Sequence, residues 1–337
     1  MAIGSTTARR EKGLFTTHHS NWENMTASSP PHKFRDGLLR GLRKGLQSFL
    51  WMIKILVPVS FFTALLEWSG WLNHIDFLIQ PLMGWLGLPA KAALPLVIGM
   101  LTNIYGGIAA MVMLPFTKEQ MTLIAIFLLI SHNLIQEGII QGKSGIHPLK
   151  ATLFRIVAAC ITVILVGQFL HTGAANPLAE SVLTPSAQPF LTMLQNWIVA
   201  TVRLAIKIFL IIISILTVVE ILNSYGWIDR AVTLLAPFLR TLGLSDKVGI
   251  LWLAGAFFGL VYGAALIVEE AKRGDLSKEE LEGLHLSIGI NHAVIEDPAL
   301  FLSLGLSAFW LWVPRLVMAI LAVRLLSLWH LSRRHRS

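Results

Sequence analysis

Long apolar stretches separated by short polar ones set the pattern of this chain. Leu50–Leu66, Ala92–Leu114, Met121–Ile135, Leu153–Leu170, Ile208–Leu222, Val248–Val268 and Ala308–Leu326 are apolar over lengths at or near those with which a helix crosses a bilayer. None shows the alternation of a transmembrane β-strand, so the runs predict an all-α integral membrane protein. Ahead of the first run, Phe34–Gln47 alternates Arg35, Arg40, Arg43 and Lys44 with Leu38, Leu39, Leu42 and Leu46, which predicts a basic amphipathic helix on an anionic leaflet. Leu72–Gly87 is too short and too polar to span and is expected to lie at the interface.

The pattern occurs twice. Gly70-Trp71-Leu72 recurs as Gly226-Trp227-Ile228, Pro81 as Pro237, Leu86-Gly87-Leu88 as Leu242-Gly243-Leu244, and Lys91, Gly99 and Gly107 as Lys247, Gly255 and Gly263, all at the separation 226 − 70 = 156. Extra residues around Glu269–Lys272 shift the register to 292 − 132 = 160, at which His132 matches His292, Glu137 matches Asp297 and Arg155 matches Arg315. Such self-similarity predicts a tandem duplication. The expected organisation is a disordered tail at 1–33, a first repeat at 34–171, a Gly-, Pro- and Ser-containing linker at 172–197, a second repeat at 198–331 and a basic tail at 332–337.

Charge then sets the topology. Arginine and lysine crowd both flanks, ending in Arg333-Arg334-His335-Arg336, whereas none occurs between Arg155 and Arg203. The positive-inside rule places both termini in the cytoplasm and the linker outside, as expected of a multi-pass protein of a bacterial inner membrane. Each repeat then crosses an odd number of times, and the repeats are inverted. One segment per repeat must enter and leave on the same side; Lys118–Ile140 and its copy Lys278–Leu304, each interrupted by a histidine, are expected to be re-entrant hairpins.

Composition agrees: 55% of residues are hydrophobic, 14% charged, and the mean hydropathy is +0.67. The formal net charge of +8 gathers at the membrane flanks, so nucleic acid is not an expected partner. Cys160 is the only cysteine, which excludes an intrachain disulfide and a thiolate metal cluster. The first apolar run begins near Phe49, too late for a cleaved signal.

Candidate chemistry sits in Ser131-His132-Asn133-Leu134-Ile135-Gln136-Glu137 and its echo Asn291-His292-Ala293-Val294-Ile295-Glu296-Asp297. Polar groups inside an apolar segment are costly, and ionisable ones are functional candidates by default. On a continuous helix His292 and Glu296 share a face with Asp297 beside them, a group able to share a proton, coordinate a cation or hold a polar solute. The matching residues are His132, Gln136 and Glu137, so the duplicated site is asymmetric in charge. The bland alternative is that histidine and carboxylate merely satisfy each other at a turn. Asn103 and Tyr105, with Gly106 and Gly107, correspond to Gly259, Val261, Tyr262 and Gly263; close helix packing explains them, with Asn103 the candidate for solute contact. Arg155 and Arg315 either orient the histidine stretches or anchor at the interface. Lys54 and Lys207 are expected to snorkel. A metal site from His132, His292, Glu296 and Asp297 matches no recognised spacing.

These features resemble the membrane family whose repeats are called nucleoside-recognition or Gate domains, in the arrangement of spore maturation proteins A and B joined in one chain. The resemblance rests on the Gly-Trp-Ile/Leu and Leu-Gly-Leu segments, the small residues of Gly255–Gly263 and the two histidine stretches. It implies two tandem Gate-like repeats. Related segments occur in nucleoside transporters and ferrous-iron uptake proteins; this chain has no Gly-x-x-x-x-Gly-Lys-Ser/Thr motif for nucleotide-driven transport.

The expected function is a transporter or permease-like protein for a small polar solute or ion. Its site comprises Asn103, Ser131, His132, Asn133, Gln136, Glu137, Asn291, His292, Glu296 and Asp297. The alternative is a non-transporting scaffold for envelope or spore-maturation assembly. No catalytic constellation or cofactor motif is visible, so neither an enzyme nor a cofactor is expected. The candidate partners are the lipid bilayer, a small polar solute, proton or cation, and further copies in a homo-oligomer.

Overall fold

The computed structural model describes residues 30–170, 189–227 and 276–334, together with 230, 234, 244, 245, 248, 249, 251–253, 255, 256, 267–271, 273 and 274. The expected tail up to residue 29, residues 172–188 of the expected linker and Gly259, Val261, Tyr262 and Gly263 lie outside the described residues. The described residues are helical, with no strand among them. Five stretches among them are long and apolar enough to cross a membrane: His32–Trp68, Lys118–Lys143, Pro148–Gly167, Phe190–Ser224 and Ala308–His330.

Two long helices, α1 (Pro30–Trp68) and α8 (Phe190–Ser224), occupy matched places in the two halves. They run antiparallel: Arg40 and Lys44 at the start of α1 meet Glu220 near the end of α8, while Trp68 stacks edge-on against Phe190. Each stops at a glycine in the left-handed region, Gly70 (φ 69°) and Gly226 (φ 66°), which carry the chain out of the helix without a Cβ penalty.

The first turns of α1 correct the expectation of a separate surface helix. Residues 34–47 continue into the span, with Leu39, Leu42 and Leu46 exposed and a row of Gly37, Gly41 and Gly45 against α8. Glycines four apart line one face and let two helix backbones touch. A Cβ at Gly41 would stand 3.0 Å from Thr217 N and 3.1 Å from Leu216 O, backbone atoms that cannot swing aside. Gly41→Leu is therefore expected to push α1 off α8 and destabilise the protein by about 1–3 kcal/mol. An unchanged thermal unfolding midpoint in detergent would contradict the close contact. The start of α8 at Phe190 likewise makes residues 190–197 helical, where composition predicted linker.

Helix α2 (Trp71–Trp85) follows α1 and leaves Trp71, Phe77, Leu78, Leu82 and Trp85 exposed. After the 3₁₀ turn Ala90–Ala92 come α3 (Ala93–Leu101) and α4 (Ile104–Val112). These two fold back on each other at Thr102–Asn103: a Cβ at Gly99 would lie 3.5 Å from Gly107 Cα, and one at Gly107 would lie 3.3 Å from Pro95 O. The helical hairpin of the first half is thus α3–α4. The histidine stretch is instead a break between α5 (Lys118–Ser131) and α6 (Leu134–Lys143), which together form one stretch of spanning length. The physical reason is side-chain size. Glycines let α3 and α4 turn back in contact, whereas α5 is buried on every side from Thr122 to Ser131 by Leu, Ile and Phe and forms the centre of the core.

Helix α7 (Pro148–Gly167) closes the first half. In the second, α9 (Lys278–Ile290) and α10 (Glu296–Leu302) flank the second histidine stretch, and α11 (Ala308–Arg334) follows. The starts of α5 and α9 carry the same capping box, Thr117 with Gln120 and Ser277 with Glu280, in which each side chain satisfies a free backbone N–H. The residues that match α3–α4 in sequence fall mostly outside the described residues.

Candidate functional site

A helix that stops inside a core leaves carbonyl groups without intrahelical donors, a cost that must be met locally. Helix α5 stops at Ser131 and α9 at Ile290. At matched positions Asn133 (φ 53°) and Ala293 (φ 46°) take the left-handed conformation; asparagine adopts it readily, whereas alanine there costs about 1 kcal/mol. Two buried arginines from neighbouring helices serve the freed carbonyls. Arg155 of α7 donates from Nε to Ile130 O (2.8 Å) and from Nη2 to His132 O (2.9 Å). Arg315 of α11 donates from Nε to Ile290 O (3.3 Å) and from Nη2 to His292 O (2.9 Å). Their exposures, 1% and 0%, place both guanidinium groups inside the protein, away from any lipid headgroup.

With the backbone held, the two imidazoles meet across the halves. His132 Nε2 lies 3.4 Å from His292 Nε2, and Glu137 Oε1 lies 3.3 Å from His292 Nε2 and 3.7 Å from His132 Nε2. Asp297 Oδ2 lies 3.6 Å from His132 Nε2. His132, Glu137, His292 and Asp297 are all buried. The break changes which acid reaches the imidazole. On a continuous helix Gln136 and Glu296 would face their histidines, but the interruption turns the next residue inward. Gln136 is exposed and accepts from Asn133 Nδ2 (3.3 Å), while Glu296 accepts from the Tyr105 hydroxyl at 2.8 Å. That bond joins the α3–α4 hairpin of one half to the broken span of the other.

The remaining predicted residues are placed elsewhere. Ser131 donates to Phe127 O, one turn back in α5. Asn103 stands at the hairpin turn, where its Oδ1 accepts from Gly106 N and caps α4. Asn291 is buried beside His292, and its Oδ1 has no hydrogen-bond partner among the described residues. Lys54 is exposed, and Lys207 Nζ lies 3.4 Å from Ser303 O at the end of α10.

Sequence reading missed a polar layer beside the cluster. Gln141 donates to His285 O (3.2 Å), His285 Nε2 pairs with Ser144 O (3.2 Å), and a Cβ at Gly289 would stand 3.3 Å from Gln141 Nε2 and 3.2 Å from Arg155 Cδ. Polar side chains on the buried faces of α6 and α9 were the available signal.

At the acid that faces the arginine, the two halves differ by one methylene. Glu137 reaches Arg155 Nη1 with Oε2 at 2.5 Å, whereas its counterpart Asp297 is shorter. Arg315 Nη1 and Asp297 Oδ2 both lack a hydrogen-bond partner among the described residues. Asp297→Glu should let the carboxylate reach Arg315. The charge-assisted bond, less the ordering of a longer side chain, is expected to stabilise the protein by about 1 kcal/mol. A lowered unfolding midpoint would show that the longer side chain does not fit.

Comparison with known proteins bears on this arrangement. The family described as nucleoside recognition, Gate, matches residues 49–164 and 205–307. The uncharacterized membrane protein YvoD of Bacillus subtilis (strain 168) is 29% identical over 285 residues, covering 84% of this chain and 91% of that protein. The Fe(2+) transporter FeoB of Legionella pneumophila strain Philadelphia 1 is 30% identical over 80 residues, 24% of this chain and 11% of that protein. FeoB of strain Lens is 31% identical over 70 residues, 21% and 9% of the two chains. No solved structure matches the chain.

Proposed function

This chain belongs to the nucleoside-recognition (Gate) family of membrane proteins, and from that premise we propose that it is a transporter for a small polar solute or ion. The site is the cluster of His132, Glu137, His292 and Asp297, and the observation that carries the reading is their convergence from two interrupted helical segments 160 residues apart. In the reading, the first repeat runs to about residue 171 and the second from about Phe190 to 331, with inverted topologies. The antiparallel run of α1 and α8 at matched places supports this. Three crossings per repeat, one long helix, one broken span and one further helix, satisfy the odd count, with the hairpin entering and leaving on one side. Basic flanks support cytoplasmic termini, and bacterial relatives support an inner-membrane location.

Inverted repeats with interrupted helices at the centre of the bilayer are the architecture of alternating access. The break lies near the middle of Lys118–Lys143, which supports placing the cluster at the midplane. Rocking of one half on the other would part His132 from His292 and Tyr105 from Glu296, opening the cluster first to one side and then to the other. Arg155 and Arg315 keep each break rigid while the halves move. FeoB transports Fe(2+), and its partial likeness supports an ion as cargo.

Purified protein in liposomes, compared with empty liposomes, tests the reading. Uptake of labelled divalent metal ions or nucleosides under an imposed proton gradient is the expected result. No uptake of any of these in either gradient direction, with stable partners recovered from intact membranes, would favour a scaffold and defeat it.

A further inference from the structure

The atoms that face one another across the halves are all acceptors, and that defines what they can hold. In each histidine Nδ1 pairs with a backbone carbonyl, His132 with Leu128 O at 2.8 Å and His292 with Ile288 O at 3.2 Å. A carbonyl only accepts, so Nδ1 carries the hydrogen and the neutral ring presents a lone pair at Nε2. With both rings in the neutral form, the two Nε2 lone pairs, Glu137 Oε1 and Asp297 Oδ2 converge with no hydrogen between them. A positive charge at the centre resolves the repulsion.

We propose that His132, His292 and Asp297, with Glu137 beside both imidazoles, form a site of tetrahedral type for a divalent first-row transition-metal ion, with ligands from both halves. Donors about 2.0–2.2 Å from a tetrahedral ion stand about 3.3–3.6 Å apart. Four of the six donor separations are 3.3 Å (Glu137–His292), 3.4 Å (His132–His292), 3.6 Å (His132–Asp297) and 3.7 Å (His132–Glu137). Ligand atoms of His132, His292 and Asp297 all lie within 4.8 Å of one another. Two imidazoles with two carboxylates suit Zn²⁺, Fe²⁺ or Mn²⁺ over the all-oxygen preference of Mg²⁺ and Ca²⁺. The Nδ1 bonds to carbonyls and the Arg155 bond to Glu137 Oε2 supply the outer shell that orients such ligands. Asp297 Oδ2 is buried with no hydrogen-bond partner among the described residues, a free ligand aimed at the same centre.

As cargo, the ion rests on the transport reading above; as a ligand it does not.

Full-length protein in lipid nanodiscs, titrated with Co²⁺ and Zn²⁺, tests the proposal. Expected are one ion per chain, a tetrahedral-type Co²⁺ absorption band displaced by Zn²⁺ but not by Mg²⁺, and a Zn²⁺-dependent rise in the unfolding midpoint. His132→Ala and His292→Ala should each weaken binding by more than about tenfold, while Gln168→Ala, at the exposed end of α7, should bind as the wild type does. An octahedral-type band, binding unchanged in both histidine variants, or no Zn²⁺ effect on wild-type unfolding overturns the proposal. The last measurement decides even where a variant fails to fold. Metal binding without uptake would defeat transport and keep the site; nucleoside uptake without metal binding would do the reverse.

Discussion

Arg155→Ala is expected to lower the stability of the protein by about 3–5 kcal/mol, the cost of leaving a buried ion-pair partner alone. Its guanidinium serves three acceptors together: Glu137 Oε2 at 2.5 Å, Ile130 O at 2.8 Å and His132 O at 2.9 Å. Removal strands a buried carboxylate and reopens the end of α5. Arg155→Lys restores the charge, but a single ammonium cannot span that fork, so an intermediate loss is expected. Arg315→Ala should cost less, because Arg315 serves two carbonyls and its Nη1 has no hydrogen-bond partner among the described residues. Denaturation of the three variants in one detergent provides the ranking. Equal losses for Arg155→Ala and Arg315→Ala would show that the Glu137 pair contributes nothing.

His292→Ala is expected to reduce uptake in liposomes by more than about tenfold while leaving the fold in place. The imidazole supplies the Nε2 that stands 3.3 Å from Glu137 and 3.4 Å from His132, so its loss removes the imidazole pair at the centre of the cluster. The break itself survives, because Arg315 bonds the backbone carbonyl of residue 292, which alanine retains. Gln136→Ala is the informative companion. Helical periodicity places Gln136 beside its histidine, whereas the structure leaves it exposed, so its uptake should match the wild type. Transport lost in Gln136→Ala and kept in His292→Ala would reverse the assignment of the inward face.

The comparison of Gln136 with Glu137 shows where reading the chain stops. Within the sequence, His132 and His292 stand 160 residues apart, and so do Glu137 and Asp297 and Arg155 and Arg315. These matched separations identify the residues that occupy equivalent places. They carry no information about the phase of a helix after a break. Two non-helical residues before α6 rotate it enough to exchange Gln136 for Glu137 as the inward group, and the longer break before α10 does the same for Glu296 and Asp297. Glu296 consequently meets Tyr105, a partner 191 residues away that no local pattern could indicate.

The hairpin was misplaced for a related reason. A polar interruption and a tight turn look alike along a chain, and the histidines marked the more conspicuous interruption. What separates them is how closely two helices can approach. Gly99 and Gly107 allow contact between α3 and α4, whereas the Leu and Ile side chains of α5 fill the space around a central helix. The glycine row Gly37, Gly41 and Gly45 was equally visible, but leucines and basic residues on the other faces suggested a bilayer surface instead of a helix partner.

The sequence by itself determined that this is a helical membrane protein, that its pattern is written twice, and that histidine, carboxylate and arginine recur at matched places. Each follows from apolar length, self-similarity and the cost of polar groups in an apolar run. Only the tertiary structure decided that the two histidines touch, that Glu137 and Asp297 face them, and that both arginines plug broken helix ends. Those facts depend on the rotation of helices about their breaks and on contacts between residues more than 150 positions apart, which packing of the whole core sets and local pattern does not.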